Sequence, residues 1–309
     1  MNMNIHFENV NTQSTSGPNH FASKLIKYID ANTDGFKEPD ARLCFIESQR
    51  KQFDKIPLFQ RLDGIYFNKV QDYKKQNRNI KRTYDNADGV IFQSEFNKQL
   101  ITRYFGEHKN SIVIHNGADV EYIESIKPLQ GMLDGYEHVW CCASSWRPHK
   151  RLNENIKYFL EHSSKNDCLV IAGGNLEYLE QVKITRTPNV FYVGELNIKY
   201  LTALYKRADY FIHLAWLDHC PNVVVDARAS GCQIICSSAG GTMEIAGLDA
   251  IVIEEDEWDF EPVELYKPPK MDFYKKVKNN IEVDYNMKTV AEKYRNFIKG
   301  TINEKDKTL

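Results

Sequence analysis

The sequence predicts an α/β protein built from two Rossmann-like domains that face each other across a cleft. Apolar strand patterns alternate with helical patterns nearly throughout, which calls for parallel sheets covered by helices on both faces. The chain has 309 residues, 42% of them hydrophobic and 27% charged, which is ample for two ordinary cores. The run 119–136 interrupts the alternation with weak periodicity and with Pro128, Gly131 and Gly135, so it reads as a hinge. A first domain of residues 1–118 and a second of residues 137–309 follow.

In the first domain, strands are expected near 3–7, 42–47, 57–62, 88–93 and 111–115, and helices near 19–30, 69–85 and 95–105. In the second, strands are expected near 137–143, 167–172, 189–193, 209–215, 232–236 and 250–253. Helices lie between them. Two more, 273–281 and 287–300, close the chain, and the second of these either stays with its domain or packs back on the first. No internal repeat or low-complexity tract is present.

Residues 209–244, DYFIHLAWLDHCPNVVVDARASGCQIICSSAGGTMEI, carry the clearest chemistry. An apolar strand runs into a polar loop, a short helix, a second strand and a Gly240-Gly241 turn. Asp218 stands at the strand exit and Asp226 inside the helix. Pro221 suits the first helical position and Gly231 the position just past the helix end. The amides around Cys220, Pro221, Asn222 and Val223, at the positive end of the helix dipole, then share a crevice with Asp218, a seat for a phosphate. Gly240, Gly241 and Thr242 let backbone approach a second part of the ligand. Together these residues read as a nucleotide-sugar site.

The same stretch resembles the signature of glycosyltransferase family 4, retaining enzymes of the GT-B fold, in which two acids with seven residues between them bracket the donor. Here the acids are Asp218 and Asp226, each one methylene shorter than the usual glutamate. NVFYVGELNIKYLTALYKRA resembles the strand, glycine and helix before that motif, which puts Gly194 at the donor. CCASSWRPHKRL resembles the strand and loop that bring an arginine and a lysine to the donor phosphates. Lys150 falls at the lysine position, but Ser145 occupies the arginine position, and Arg147 or Arg151 is the replacement charge. CLVIAGG, ending at Gly173-Gly174, ADGVIFQSEF and SIVIHNGAD match further strands in the expected order. The resemblance is strong over residues 87–245 and faint before that.

The resemblance implies transfer of a sugar from a nucleoside-diphosphate sugar to a hydroxyl on a glycan, a lipid or a small molecule, with retention of configuration. The first domain then lies on the acceptor side and the second binds the donor. Asp226 would grip the ribose, Asp218 would orient the sugar, and Lys150 with Arg147 would meet the diphosphate. Glu244 either touches the sugar or caps its short helix. In the first domain, the loop NTQSTSGPNHF supplies Gly17 near the donor phosphate. His20 beside it is a base or simply a residue of the following helix. Asp63, at a strand exit in FQRLDGIYF, contacts the transferred sugar or acceptor, or serves as a turn aspartate.

No metal and no cofactor are expected. Asp-x-Asp occurs nowhere, and the acidic run EEDEWDFE (254–261) follows the donor motif rather than forming it. Seven cysteines, an odd number, sit largely in apolar strand patterns without zinc-ligand spacing, so reduced thiols in a reducing compartment are expected. The N-terminus opens into a strand pattern, and no apolar run approaches the ~20 residues needed to span a bilayer. These features suggest a cytoplasmic protein, with membrane association at the surface as an option. The net charge of −2 divides into +4 over residues 1–118 and −6 over the rest. The basic excess lies in residues 69–82, the solvated face of a helix or a surface drawn to an anionic acceptor or to lipid headgroups. Nothing resembles a nucleic-acid module. Three other readings stay open: an epimerase of free sugar nucleotides on the same fold, a metal-dependent transferase of the other common fold, and a sugar-nucleotide-binding protein without turnover.

Overall fold

The computed structural model describes residues 3–14, 16–29, 31–33 and 38–308. The chain divides into two compact units: residues 1–118, 259–263 and 284–309 form the first, and residues 119–258 and 264–283 the second.

The first unit is built on β1 (Ile5–Glu8), α1 (Gly17–Ile26), β2 (Ala31–Asn32), β3 (Ala41–Phe45), β4 (Leu58–Leu62), α2 (Tyr73–Asn86), β5 (Gly89–Phe92), α3 (Glu95–Phe105) and β6 (Ser111–Val113). Its six strands pair in the order β2-β1-β3-β4-β5-β6, all parallel. β3, β4 and β5 are buried along their whole length, which suits the apolar run GVIF of β5 and leaves Arg42, Gln60 and Arg61 as buried polar side chains in β3 and β4. Polar side chains start the helices: Asp72 accepts from the Lys75 amide at 3.1 Å, and Ser94 from the Asn97 amide at 3.0 Å. Gly106, at φ 89°, ends α3 in a backbone conformation that suits glycine.

The second unit contains α4 (Val120–Ser125), β7 (Val139–Ala143), a 3-10 turn (Pro148–Lys150), α5 (Leu152–His162), β8 (Cys168–Ala172), α6 (Tyr178–Thr185), β9 (Val190–Gly194), α7 (Ile198–Arg207), β10 (Tyr210–His213), α8 (Asn222–Ala229), β11 (Gln233–Ser237), α9 (Thr242–Ile245), β12 (Ile251–Ile253) and β13 (Lys276–Val277). The strand order is β13-β12-β11-β10-β7-β8-β9, parallel except for the antiparallel edge strand β13. Its core includes Trp140, Tyr158, Phe159, Leu169, Ile212 and Ile235. All seven cysteines are buried with free thiols and serve as small apolar residues.

The final helix, α10 (Met287–Thr308), belongs to the first unit, so residues 137–309 are not one domain. Met287, Val290, Ala291, Tyr294 and Ile298 form its apolar stripe and join the core of Ile5, Phe7, Phe21 and Leu43. Gly117 permits the approach, since a Cβ there would meet the Met287 sulfur at 2.9 Å. The predicted helix at 273–281 is also absent. Asp272 accepts from the Tyr274 amide at 3.1 Å to form a turn, and residues 276–277 become β13. Asn279 spends its amide on the carbonyls of Met243 and Gly247, which holds the stretch open. Within the expected hinge, Asp119 caps α4 by accepting from the Tyr122 amide at 3.1 Å.

Tyr294 is fully buried and its Oη accepts from Arg61 Nε at 3.1 Å. Tyr294→Ala should therefore cost about 3–5 kcal/mol in urea unfolding, while Tyr294→Phe should cost only about 1 kcal/mol. An alanine variant as stable as the wild type would separate α10 from the core of the first unit.

Candidate functional site

The second unit has one place where the chain reverses its direction of travel across the sheet. β7 and β10 are neighbours; β8 and β9 follow on one side of them, β11 and β12 on the other. Loops leaving the carboxyl ends of two such strands diverge and leave a crevice, the usual ligand position in open α/β sheets. Lys150, in the turn after β7, and Asp218, in the loop after β10, meet there, with Lys150 Nζ 2.5 Å from Asp218 Oδ2.

Backbone bonds fix both loops. The Trp216 amide donates to the His149 carbonyl at 2.8 Å, and the Gly241 amide to the Asp218 carbonyl at 2.7 Å. Gly240 pairs with Asp218 in an isolated parallel bridge at φ 108°, and a Cβ there would meet the Asp218 carbonyl oxygen at 2.6 Å. Glycine is required on both counts. Thr242 Oγ1 is buried beside this turn with no hydrogen-bond partner among the described residues.

Asp218 is the most strongly conditioned acid of the site. Burial alone would raise its pKa, yet Lys150 and His213 hold it well below the usual carboxylate range. His213 Nε2 lies 2.8 Å from Oδ2, and the His219 amide donates to Oδ1 at 3.0 Å. Burial keeps the three histidines around it neutral: His149 is pushed down to about 3, His219 to about 4, and His213 is lowered too. The crevice thus holds an anchored ammonium–carboxylate pair among neutral imidazoles.

The other expected donor residues stand on β9, α8 and α9 and in the loops beside them. Pro221 is the N-cap of α8 rather than its first residue, and Asn222 and Val223 open the helix with the amides that every helix start presents. Cys220 and Pro221 are buried, as is Asp226 on α8. Glu244 is buried on α9. Gly194, at φ 70°, ends β9, where its carbonyl accepts from the Gly173 amide at 2.7 Å. A Cβ on Gly173 would fall 1.8 Å from the Ser144 carbonyl oxygen, so the loop after β8 seats directly on the loop after β7.

Two expectations about charge need correction or refinement. Arg151 does not supply the charge missing at Ser145: it is 1% exposed, forms two 2.7 Å bonds with Glu255 and donates to the Pro269 carbonyl at 2.8 Å. Arg151 and part of the acidic run are therefore occupied by one buried ion pair. Ser145 accepts from Asn175 Nδ2 at 2.5 Å, whereas Arg147 is exposed at the start of the 3-10 turn. In the first unit, Gly17 opens α1. Asp63 is ion-paired with the fully buried Arg61, and its Oδ2 is buried with no hydrogen-bond partner among the described residues.

Sequence reading missed two features. His213 sits inside the apolar run FIHLA and reads there as a core position. The first unit also has a polar recess of about 550 Å³, lined in part by Glu8, Asn9, Asn11, Asn19, Gln49 and Arg50. It lies where β1 and β3 adjoin, the point at which the first sheet changes direction. Glu8 is tied there to Arg42, to Arg50 and to Ser48 Oγ, the last at 2.9 Å.

Two α/β units of this topology have the GT-B fold of solved glycosyltransferases. Residues 137–261, within the second unit and the stretch after it, match the family model described as glycosyl transferases group 1, in line with the family 4 resemblance. An uncharacterized glycosyltransferase of Methanocaldococcus jannaschii is 22% identical over 277 residues, which cover 86% of this chain and 67% of that protein. HepE of Anabaena in complex with UDP-glucose matches with a TM-score of 0.63 at 14% identity, covering 99% of this chain and 100% of the other. AviGT4, a glycosyltransferase involved in avilamycin A biosynthesis, matches with a TM-score of 0.64 at 13% identity, covering 97% and 98%.

Because the folded pKa of Asp218 is depressed, its contribution to stability is full above the unfolded carboxylate value of about 3.9 and is lost as pH falls toward the folded value. Asp218→Asn should be less stable than wild type at neutral pH, with the gap closing as pH falls below about 4. Thermal unfolding across pH measures this, and a gap independent of pH would remove the anchored carboxylate from the account.

Proposed function

We propose that the protein transfers a sugar from a nucleoside-diphosphate sugar to a hydroxyl acceptor, with retention at the anomeric carbon and without a metal. The observation that carries the reading is the Lys150–Asp218 pair at the switch point, flanked by the start of α8 and the Gly240-Gly241 turn. A solved relative of the fold, Anabaena HepE, was captured with UDP-glucose and with UDP, which supports a donor of that class.

The chemical difficulty is the negative charge that builds on the departing diphosphate. Preorganised cations and amides stabilise it most when water is excluded. Lys150, whose ammonium has two further hydrogens to offer beyond the one given to Asp218, meets that charge. Arg147 and the amides of Cys220, Asn222, Val223 and Thr242 complete the seat, with the Gly241 amide given to the Asp218 carbonyl to hold the turn in place. Asp226 accepts from the ribose hydroxyls in charge-assisted bonds. Asp218 Oδ1 and Glu244 orient the sugar, and Gly194 gives the base room. On the acceptor side, the amide-lined recess beside Arg50 suits a hydroxyl-rich glycan, free or lipid-linked, and Asp63, whose buried Oδ2 has no hydrogen-bond partner among the described residues, contacts the transferred sugar or acceptor.

The exposed Lys74 and Arg78 of α2 add a peripheral membrane contact at the cytoplasmic face. They stand four residues apart on one helix face, a like-charge arrangement that costs a few tenths of a kcal/mol without an anionic partner. Lys81, on the same face, is already paired with Asp85 at 2.7 Å. Vesicles rich in phosphatidylserine should co-sediment the wild type more than the Lys74→Glu/Arg78→Glu variant at low salt; equal sedimentation would remove the membrane contact.

Lys150→Ala should cut turnover by roughly 10²–10³-fold, and Asp226→Ala should weaken nucleotide binding with little change in folding. Product anomeric configuration, read by proton NMR with EDTA present, tests retention and metal independence together. An inverted product, or activity lost to EDTA, would overturn the mechanism. Near-normal turnover in Lys150→Ala would move the diphosphate to Arg147.

A further inference from the structure

We propose that His213 is a positioning residue: its Nε2 hydrogen holds the Asp218 carboxylate in place, and through it the Lys150 ammonium. This rests on the reading of Lys150 as the diphosphate-binding cation.

His213 is the last residue of β10, and its side chain is 4% exposed. Its Nε2 lies 2.8 Å from Asp218 Oδ2, the same oxygen that lies 2.5 Å from Lys150 Nζ. A neutral imidazole facing an ionised carboxylate must donate, so Nε2 carries the hydrogen and Nδ1 is bare. The ring lies nearly parallel to Phe211, 14° between planes, inside the sheet core. With the His219 amide on Oδ1, the carboxylate is gripped by three donors from three different positions.

Backbone bonds fix the Asp218 main chain, and of the donors on its carboxylate His213 is the one that comes from a strand. Asp218 follows Leu217, a non-glycine residue held at φ 56°, and sits on a loop rather than on β10. A lysine ammonium on a four-carbon stem needs a fixed partner to occupy one position. The groups facing Asp218 are Lys150 and His149 from the turn after β7, His213 from β10 and His219 from its own loop, with Arg147 beside His149. The three imidazoles are neutral at neutral pH, so His213 acts as a hydrogen-bond donor and not as a second cation. A strand-end histidine gives such a contact a base in the sheet itself, independent of the loop that carries Asp218 and His219.

The test uses His213→Met, which keeps apolar bulk without a donor, and His213→Gln, which restores an N–H at similar reach. In full-length protein labelled with carboxyl-13C aspartate, with Asp218→Asn identifying the resonance, Asp218 should stay ionised in acid in the wild type and in His213→Gln. In His213→Met it should titrate at higher pH. With donor and acceptor supplied, kcat should fall about tenfold in His213→Met and recover in His213→Gln, the size expected for one hydrogen bond to a charged group. If His213→Met does not fold, His213→Asn, too short to reach Asp218, takes its place. Identical Asp218 titration in the wild type and the donor-less variant, with only the melting temperature changed, would reduce His213 to a packing residue. The titration needs no substrate, so a wild type that turned over no sugar would defeat the functional reading and leave this result standing.

Discussion

The bond between Lys150 and Asp218 depends on sheet topology before it depends on chemistry. Because β7 and β10 are adjacent while their onward connections run in opposite directions, the loops after them are the two that leave the sheet side by side. Each carries one member of the pair, and each is stapled to its neighbour by backbone bonds, from Trp216 to His149 and from Gly241 to Asp218. The positive φ at Leu217 and Gly240 is the conformational cost of this arrangement. In exchange, an ammonium and a carboxylate stand half-buried at a fixed separation, where electrostatic interactions are stronger than in water.

A second buried pair supports the first from below. Arg151 immediately follows Lys150, adopts φ 52°, and locks onto Glu255 and the Pro269 carbonyl. This ties the 3-10 turn that presents Lys150 to the loop after β12. Removing either partner would leave an uncompensated buried charge, a costly outcome, so the pair acts as a clamp on the turn. The acidic run after β12 thus finds much of its use in structure: Glu255 in the clamp and Glu261 on Arg103 at 2.8 Å.

Strand positions were legible in the sequence because parallel strands buried on both faces read as apolar runs. The stretch 209–244 was legible because its glycines, proline and acids each have a local backbone reason for their place. The partners of long-range contacts were not legible. An amphipathic stripe on α10 announces burial without naming the sheet it covers, which is why its place in the first unit emerged only with the fold. FYKKVKNNI carries a helical period, yet Asp272 and Asn279 offered the backbone better local bonds, as such side chains do. Arg151 looked as available as Arg147 until Glu255 was seen beside it. His213 was hidden for the opposite reason, a polar residue in an apolar run whose partner lies five residues on, around a turn.

The account stands or falls on whether this crevice seats a nucleoside diphosphate. The most direct measurement is thermal unfolding of the whole chain with UDP, GDP, ADP and dTDP and their sugar conjugates, each with and without EDTA. A ligand at a hundred times its dissociation constant adds about 2.7 kcal/mol to stability. The account predicts a raised midpoint with one base, unchanged by EDTA and lost in Lys150→Ala. No shift with any nucleotide, or a shift that Lys150→Ala leaves intact, would contradict it.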